Sequence, residues 1–142
     1  PPMAKIMVVD DQPVFREAME RALTESGLTE FLELVEAENG LEALGVVEAH
    51  DVIRFAVVDI HMPIMNGIEF IRRFRSDHTS RFEGCHVFVI TTEASRTLRA
   101  EMKELGVLAW LVKPVDPKLF IKTLQLRFGA AIDAARSEAA SP

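Results

Sequence analysis

Four apolar stretches of the chain end in side chains that could do chemistry. They are the acids Asp10 and Asp11 after residues 6–9, the acid Asp59 after residues 55–58, the hydroxyls Thr91 and Thr92 after residues 87–90, and the amine Lys113 after residues 111–112. Such groups are costly to bury unless they face one another or a metal ion. The pattern therefore predicts one polar site assembled from the ends of several buried segments.

The residue types in this set suit phosphoryl chemistry. Neighbouring carboxylates repel, and some stay protonated unless a cation neutralises them. Oxygen ligands of this kind suit Mg²⁺, which commonly takes one or two carboxylates and keeps waters for a phosphate. A carboxylate can attack phosphorus as a nucleophile, and the transferred group then needs its oxygens neutralised. Mg²⁺, the Lys113 ammonium and the Thr91 hydroxyl would each hold one oxygen.

The apolar runs predict five strands, at residues 5–9, 31–36, 54–58, 86–91 and 108–112. Four of these runs are nearly continuous in Val, Ile, Leu and Phe, which is typical of parallel strands covered on both faces. The second run alternates apolar and polar residues, as an edge strand does. The sequence thus predicts a mainly buried parallel sheet.

Five helical patterns lie between and after these runs. Pro13 and the pair Asp116-Pro117 are start signals, the pair Asn39-Gly40 precedes the second pattern, and Gly27 and Gly106 are stop signals. The third pattern carries apolar residues at Ile68, Ile71 and Phe74, and the fourth carries them at Leu98, Met102 and Leu105. The pair Asn66-Gly67 has turn chemistry.

Strands that alternate with helices predict a doubly wound α/β sheet with right-handed crossovers. In such sheets ligands bind outside the carboxyl ends of the strands, where the strand order reverses. With the order 2-1-3-4-5, this point lies between the strands that carry Asp10-Asp11 and Asp59. No repeat or second domain is visible, and the Ala-rich residues 130–142 extend the last helix or form a tail.

Length and composition narrow the class of protein. The chain has 142 residues, which suits one domain, and its net charge of −6 argues against a nucleic-acid surface. The single cysteine, Cys85, cannot close an internal disulfide, so we expect a buried thiol in a reduced, cytoplasmic setting. No apolar run approaches the ~20 residues that a membrane span needs, and no signal peptide is visible.

Five stretches resemble one known family. They are MVVDDQPVFR, AENGLEAL, VVDIHMPIMNGIEF, VITTEAS and WLVKPVDP, spread in this order over about residues 4–128. Together they resemble the receiver domain of two-component response regulators, and WLVKP with TTEAS is most similar to the CheY-like single-domain branch. The resemblance implies a flavodoxin-like (βα)5 fold, with a receiver domain over residues 1–129.

The resemblance also implies roles for individual residues. Asp59 would accept the phosphoryl group. Asp11, Asp59 and the backbone carbonyl of His61 would bind Mg²⁺ directly, with Asp10 acting mainly through water. Lys113 would contact the phosphoryl group and form an ion pair in its absence, and the bond from Lys113 to Pro114 would be cis.

Switching and lifetime are implied in the same way. Thr91 would swing toward the phosphoryl group, and Trp110 would follow as the rotating aromatic residue. The family more usually has Tyr or Phe at this position, so a permanently packed indole stays open as an alternative. The side chains of His61 and Glu93 would tune the lifetime of the phosphoryl group.

The resemblance implies a signalling module that catalyses only its own phosphorylation and dephosphorylation. A sensor histidine kinase or a phosphotransfer protein would supply the phosphoryl group. A downstream partner, with chemotaxis as the suggested pathway, would bind the face made by the fourth helix, fifth strand and fifth helix, roughly residues 95–128. The protein would be a monomer or a phosphorylation-dependent dimer.

Three alternatives remain at this point. The chain can be the receiver part of a longer regulator with a DNA-binding or enzymatic output domain. It can be an aspartyl-phosphate hydrolase, although such enzymes usually have an acid two residues after the nucleophile, where this chain has His61. The acids can also be helix caps and surface charges, with Asp11 capping the first helix.

Overall fold

Five parallel strands form a single sheet in the order β2-β1-β3-β4-β5. A computed structural model describes residues 3–50, 52–107 and 109–141. The strands are β1 (Ala4–Val9), β2 (Leu32–Ala37), β3 (Ile53–Asp59), β4 (His86–Thr91) and β5 (Ala109–Val112). The predicted doubly wound sheet and its strand order are confirmed. Residue 108, the predicted start of the fifth strand, lies outside the described residues.

Burial along the strands explains their sequence patterns. Every residue of β1 is buried, and β3 is buried at six of its seven positions. Both strands have neighbours on each side and helices on both faces, which favours continuous apolar runs. The more alternating run forms β2 at the edge of the sheet, as predicted, although it begins one residue later, at Leu32.

Seven α-helices surround the sheet in the described part of the chain. They are α1 (Pro13–Glu25), α2 (Gly40–Ala49), α3 (Gly67–Asp77), α4 (Thr79–Glu83), α5 (Arg96–Glu104), α6 (Pro117–Arg127) and α7 (Gly129–Ala140), with a 3₁₀ turn at Leu28–Glu30. Helices α2 to α5 pack on one face of the sheet, and α1, α6 and α7 pack on the other. No described helix has the length and apolar character required to cross a bilayer.

Side-chain caps fix where several helices begin. The Asp116 carboxylate accepts a hydrogen bond from the Lys118 N–H at 3.0 Å, which confirms the predicted start of α6. The pair Asn66-Gly67 was predicted to form a turn, but it forms the start of a helix. Asn66 instead caps α3, accepting from the Glu69 N–H at 2.9 Å, because a short amide side chain satisfies a free helical N–H as well as it supports a turn.

Two helices were not among the five predicted patterns. The five residues of α4 are too few for a helical period to appear in the sequence. This helix packs on the core through Phe82, whose ring is perpendicular to that of Phe74, with ring centres 5.3 Å apart. The Ala-rich segment forms α7 as a helix separate from α6, and the chain changes direction at Phe128.

Helix α7 covers the amino ends of the strands. Its Ile132 side chain is buried in the core, and the Arg136 guanidinium lies 4.8 Å from the centre of the Phe31 ring, just before β2. Glu138 forms an ion pair with Arg54 at the start of β3. The C-terminal segment therefore adds to the core at the end opposite the acidic residues.

The thiol of Cys85 is buried beside β4, and burial raises its pKa to about 12. We expect the folded protein to react with iodoacetamide at pH 8 about a thousandfold more slowly than a free cysteine, because only the thiolate is nucleophilic. Alkylation followed by mass spectrometry, without urea and in denaturing urea, measures this difference. Rapid stoichiometric alkylation of the native protein would contradict the burial of this thiol.

Candidate functional site

The side chains singled out in the sequence meet at the carboxyl edge of the sheet. Asp10 and Asp11 follow β1, Asp59 ends β3, Thr91 ends β4 and Lys113 follows β5. Because all the strands are parallel, their carboxyl ends lie along one edge. The edge includes the gap just outside the ends of the neighbouring strands β1 and β3. The helices that follow these two strands, α1 and α3, lie on opposite faces of the sheet. This is the predicted location of a ligand site.

Three carboxylates converge in this gap. One oxygen from each of Asp10, Asp11 and Asp59 lies within 4.8 Å of the others. Asp10 and Asp59 are almost completely buried, whereas Asp11 is exposed. The Asp10 Oδ1 atom accepts a hydrogen bond from the Gln12 N–H at 2.8 Å. Asp11 is therefore the only one of the three acids that is exposed, and the cluster opens to solvent on its side.

The ammonium group of Lys113 joins this cluster. Its Nζ donates to Asp59 Oδ2 at 3.2 Å and lies 3.5 Å from Asp10 Oδ2. Burial by itself would lower the pKa of Lys113, but the hydrogen bond to Asp59 and the negative charges of Asp10 and Asp59 outweigh burial and raise that pKa. The bond from Lys113 to Pro114 is cis, as the resemblance implies.

One lysine does not balance three acids. Burial raises the pKa of Asp10, and the charges of Asp59 and Asp11 raise it further, against the opposing effects of the Gln12 N–H and Lys113. Within the described residues no hydrogen bond reaches the buried Oδ2 atom of Asp10, which lies 3.5 Å from the Lys113 Nζ. A buried oxygen without a donor and an excess of carboxylates fit a hard divalent cation such as Mg²⁺.

The hydroxyl of Thr91 points into its own loop. It donates to the Glu93 carbonyl oxygen at 2.6 Å and accepts from the Glu93 N–H at 3.2 Å. Thr91 is completely buried. The hydroxyl proton is thus used by one residue of the loop, and donation to any other acceptor requires the bond to the Glu93 carbonyl to break.

Trp110 lies in the middle of β5, where it pairs with Val89 of the neighbouring strand. Its ring is partly buried against the core on the side of α5, and the Arg99 guanidinium lies 5.7 Å from the ring centre. The indole therefore lies between the sheet and α5. The two residues to which the resemblance assigns lifetime tuning, His61 and Glu93, are both exposed, in the loops after β3 and β4.

Sequence reasoning missed the close backbone contacts behind the site. A Cβ atom on Gly40 would lie 2.8 Å from the Met65 carbonyl oxygen, which accepts a hydrogen bond from the Gly40 N–H at 2.9 Å. Between Asp59 and α3 the chain also places Ile64 at φ 70°, a strained conformation for a β-branched residue. The sequence signal for these contacts was the Asn-Gly pair at the start of α2 and again at the start of α3, because glycine permits close backbone approach.

The alternative that these acids are helix caps is wrong. Helix α1 has Gln12 at its N-cap position and no capping hydrogen bond from any described side chain, so Asp11 does not cap it. Asp10 and Asp59 are buried and face Lys113. Their placement is therefore that of a polar site and not of solvated surface charges.

Comparison with known proteins identifies the family. The model of the response regulator receiver domain matches residues 6–125. The chain belongs to the response regulator receiver family. It is a signalling module of two-component systems.

Relatives of this receiver include small proteins and larger ones. It is 31% identical over 125 residues to the chemotaxis protein CheY1 of Helicobacter pylori, covering 88% of this chain and 97% of that protein. It is 33% identical over 114 residues to a cyclic di-GMP phosphodiesterase of Thermotoga maritima, covering 80% of this chain and 28% of that protein. The receiver module thus occurs in relatives with and without additional sequence.

A solved structure supports the same assignment. The chemotaxis protein CheY4 of Vibrio cholerae superimposes with a TM-score of 0.75 at 33% sequence identity, covering 88% of this chain and 98% of that one. The receiver therefore shares both its sequence pattern and its strand arrangement with CheY-like chemotaxis proteins.

Proposed function

We propose that this receiver takes a phosphoryl group onto Asp59 from the phosphohistidine of a sensor histidine kinase or a phosphotransfer protein. The observation that carries the proposal is the convergence of Asp59, two further acids and Lys113 at the carboxyl edge of the sheet. Among the three acids, Asp59 is the one whose carboxylate accepts a hydrogen bond from the Lys113 ammonium.

The transfer is a direct substitution at phosphorus. An oxygen of the Asp59 carboxylate forms the new O–P bond while the N–P bond of the donor breaks, and the electron pair leaves with the donor imidazole. Burial of Asp59 strips water from this carboxylate, and the His61 N–H, 3.3 Å from Oδ1, holds its orientation. The chain itself therefore supplies an oriented nucleophile.

The donor set fits Mg²⁺. We propose that Asp11, Asp59 and the His61 carbonyl oxygen hold the ion directly, and that Asp10 holds it through water. When bound, Mg²⁺ supplies positive charge that offsets the charge of the phosphoryl oxygens. Lys113 already lies within hydrogen-bonding distance of Asp59, so its ammonium can pass to a phosphoryl oxygen without a large movement.

Switching follows from competition for two polar groups. A phosphoryl oxygen offers Thr91 an acceptor in place of the Glu93 carbonyl, and it offers Lys113 an acceptor in place of Asp59. Movement of Thr91 would open space beside β5, and Trp110 would rotate in response. Such a change is a shift between two states that phosphorylation favours unequally.

The shifted surface is the face formed by α5, β5 and α6, within residues 95–128. Three of its large apolar side chains are exposed: Val112, Leu119 and Leu126. Exposed apolar side chains of this size suit contact with another protein. We propose that a downstream partner binds this face, in a chemotaxis pathway by likeness to the CheY relatives, and that the receiver is a monomer or a phosphorylation-dependent dimer.

Two exposed residues would set how long the phosphoryl group lasts. His61 and Glu93 flank the site from the loops after β3 and β4. We propose that their side chains screen or position the water that hydrolyses the aspartyl phosphate. This role requires no direct contact with Mg²⁺ from either side chain.

Labelling by acetyl phosphate tests the proposed function. We expect intact-mass spectrometry to show one added phosphoryl group in the presence of Mg²⁺ and none when EDTA removes it. Beryllofluoride, which mimics the phosphoryl group, should change the fluorescence of Trp110, the only tryptophan in the chain, and again only with Mg²⁺.

The two readouts separate the acceptor from the switch. Labelling without a fluorescence change would retain the phosphoacceptor and reject Trp110 as the moving residue. Absence of labelling at high Mg²⁺ and acetyl phosphate, in a protein that is folded by circular dichroism, would reject the proposed function.

A further inference from the structure

Arg16 lies on the first turn of α1, directly behind the acidic cluster, and it has no role in the mechanism described above. Its side chain is only 13% exposed. Its Nη1 donates to the backbone carbonyl of Asp10 at 2.7 Å. Its Nε lies 3.4 Å from a carboxylate oxygen of Glu36, and its Nη2 lies 3.7 Å from one of Glu38. One guanidinium therefore joins α1 to the carboxyl ends of both β1 and β2.

The carbonyl that Arg16 holds belongs to the peptide plane between Asp10 and Asp11. Two further hydrogen bonds hold Asp10. Its N–H donates to the Ala37 carbonyl oxygen at 3.0 Å, and its Oδ1 accepts from the Gln12 N–H. Asp11 differs, because its exposed carboxylate has no hydrogen bond or ion pair within the described residues. The position of Asp11 therefore depends on its backbone, and Arg16 holds the carbonyl oxygen of the peptide plane that leads into it.

The charge of Arg16 is offset locally. Glu36 and Glu38 place two carboxylates against one guanidinium, so the three side chains together carry a net negative charge. A positive charge behind a cation site would by itself weaken binding of the cation. If Arg16 acted through its charge, removing it would therefore strengthen cation binding. If it acts by holding the backbone in position, removing it would weaken cation binding.

We infer that Arg16 is a positioning residue for the divalent cation, acting by holding the Asp10-Asp11 backbone so that the Asp11 carboxylate faces Asp59. This inference rests on the proposed Mg²⁺ site. An arginine suits the task because its planar group donates in several directions at once, to a carbonyl and to two carboxylates. A lysine has the same charge but cannot hold all three partners in this geometry.

Calorimetric titration with Mg²⁺ tests the inference on the full chain. We expect Arg16→Met and Arg16→Lys each to raise the Kd for Mg²⁺ about tenfold, as loss of groups that orient metal ligands commonly does. Arg21→Met is the matched control, because Arg21 is exposed on the same helix and its replacement removes the same charge. We expect that control to leave the Kd within a factor of two.

A second measurement separates position from stability and from chemistry. Thermal unfolding without Mg²⁺ reports the fold, and labelling by acetyl phosphate at saturating Mg²⁺ reports the reaction. We expect both Arg16 variants to recover at least half of the wild-type labelling rate once Mg²⁺ is saturating. Arg16→Lys, which retains the charge and the alkyl chain, decides the question if Arg16→Met does not fold.

The outcomes distinguish the inference from the function on which it rests. If wild-type protein binds no Mg²⁺, the proposed function fails. If the wild type binds and Arg16→Lys binds equally well, or Arg16→Met binds more tightly, Arg16 acts through charge or not at all and the inference fails. A lower unfolding temperature with an unchanged Kd would likewise overturn it.

Discussion

Replacing Asp59 with asparagine is expected to reduce labelling by acetyl phosphate at least about 100-fold at every Mg²⁺ concentration, because an amide oxygen is a poor nucleophile toward phosphorus. The fold should survive the change. Asparagine has nearly the same shape, and Lys113 keeps an ion-pair partner in Asp10, 3.5 Å away. Intact-mass spectrometry over a Mg²⁺ series measures the loss, with circular dichroism as the check on folding.

Two further variants separate the acceptor from its neighbours. Asp11→Asn should lose labelling at low Mg²⁺ and regain much of it at high Mg²⁺, since Asp11 is proposed to bind the ion and not to be phosphorylated. Asp77→Asn is the matched control, because Asp77 is an exposed acid at the end of α3 that forms an ion pair with Arg73 on the same helix. If Asp59→Asn is labelled as fast as this control, the phosphoacceptor is another residue.

The sheet and the site could be predicted together because both follow from where apolar runs end. A buried parallel strand needs apolar residues at nearly every position, so β1 and β3 stand out in the sequence. Parallel strands bring their carboxyl ends to one edge, so Asp10 and Asp59 had to be neighbours once the order was known. Neither step requires any knowledge of individual side-chain contacts.

The parts that could not be predicted depend on contacts between distant segments. Arg16 is one of 16 lysines and arginines, and although it ends the stretch MVVDDQPVFR, the sequence does not indicate what its guanidinium contacts. Its partners Glu36 and Glu38 reach it only because β2 pairs with β1. Likewise the hydroxyl of Thr91 binds the Glu93 backbone, which depends on the path of a loop and not on a residue pattern.

The same limit applies to α7. An Ala-rich segment is consistent with a helix, but its apolar face is narrow and does not indicate what it packs against. The contacts of Arg136 with Phe31 and of Glu138 with Arg54 join residues that lie far apart in the sequence. We propose that residues 130–142 act as an extension of a receiver domain that spans residues 1–129.

Gly67→Ala is expected to destabilise the protein by about 3 kcal/mol or more, at the upper end of what overpacking costs. A Cβ atom at this position would lie 2.3 Å from the carbonyl oxygen of Asp59 and 3.0 Å from the Cα of Ile60. Both atoms belong to the backbone, so no side chain can rotate to make room. Chemical denaturation with urea measures the change in the free energy of unfolding.

Gly45→Ala is the matched control, since Gly45 lies inside α2 and a Cβ atom there would meet no other segment of the described chain within 4 Å. Alanine there should stabilise the protein by about 0.5–1 kcal/mol, because glycine is the poorer helix former. A loss of stability in Gly67→Ala together with a gain in Gly45→Ala would show that the close approach to Asp59, and not helix propensity, requires glycine at the start of α3. Equal effects would contradict the contact.

The effect of Gly67→Ala should extend from stability to the site. The Gly67 N–H donates to the Ile60 carbonyl at 2.9 Å, so α3 begins against the residue that follows Asp59. Any shift that relieves the new contact moves the Asp59 backbone, and with it the carboxylate that Lys113 contacts. We therefore expect the folded fraction of this variant to be labelled more slowly than wild type. Wild-type labelling in that fraction would mean that the start of α3 moves alone, and that Asp59 is held by its own strand.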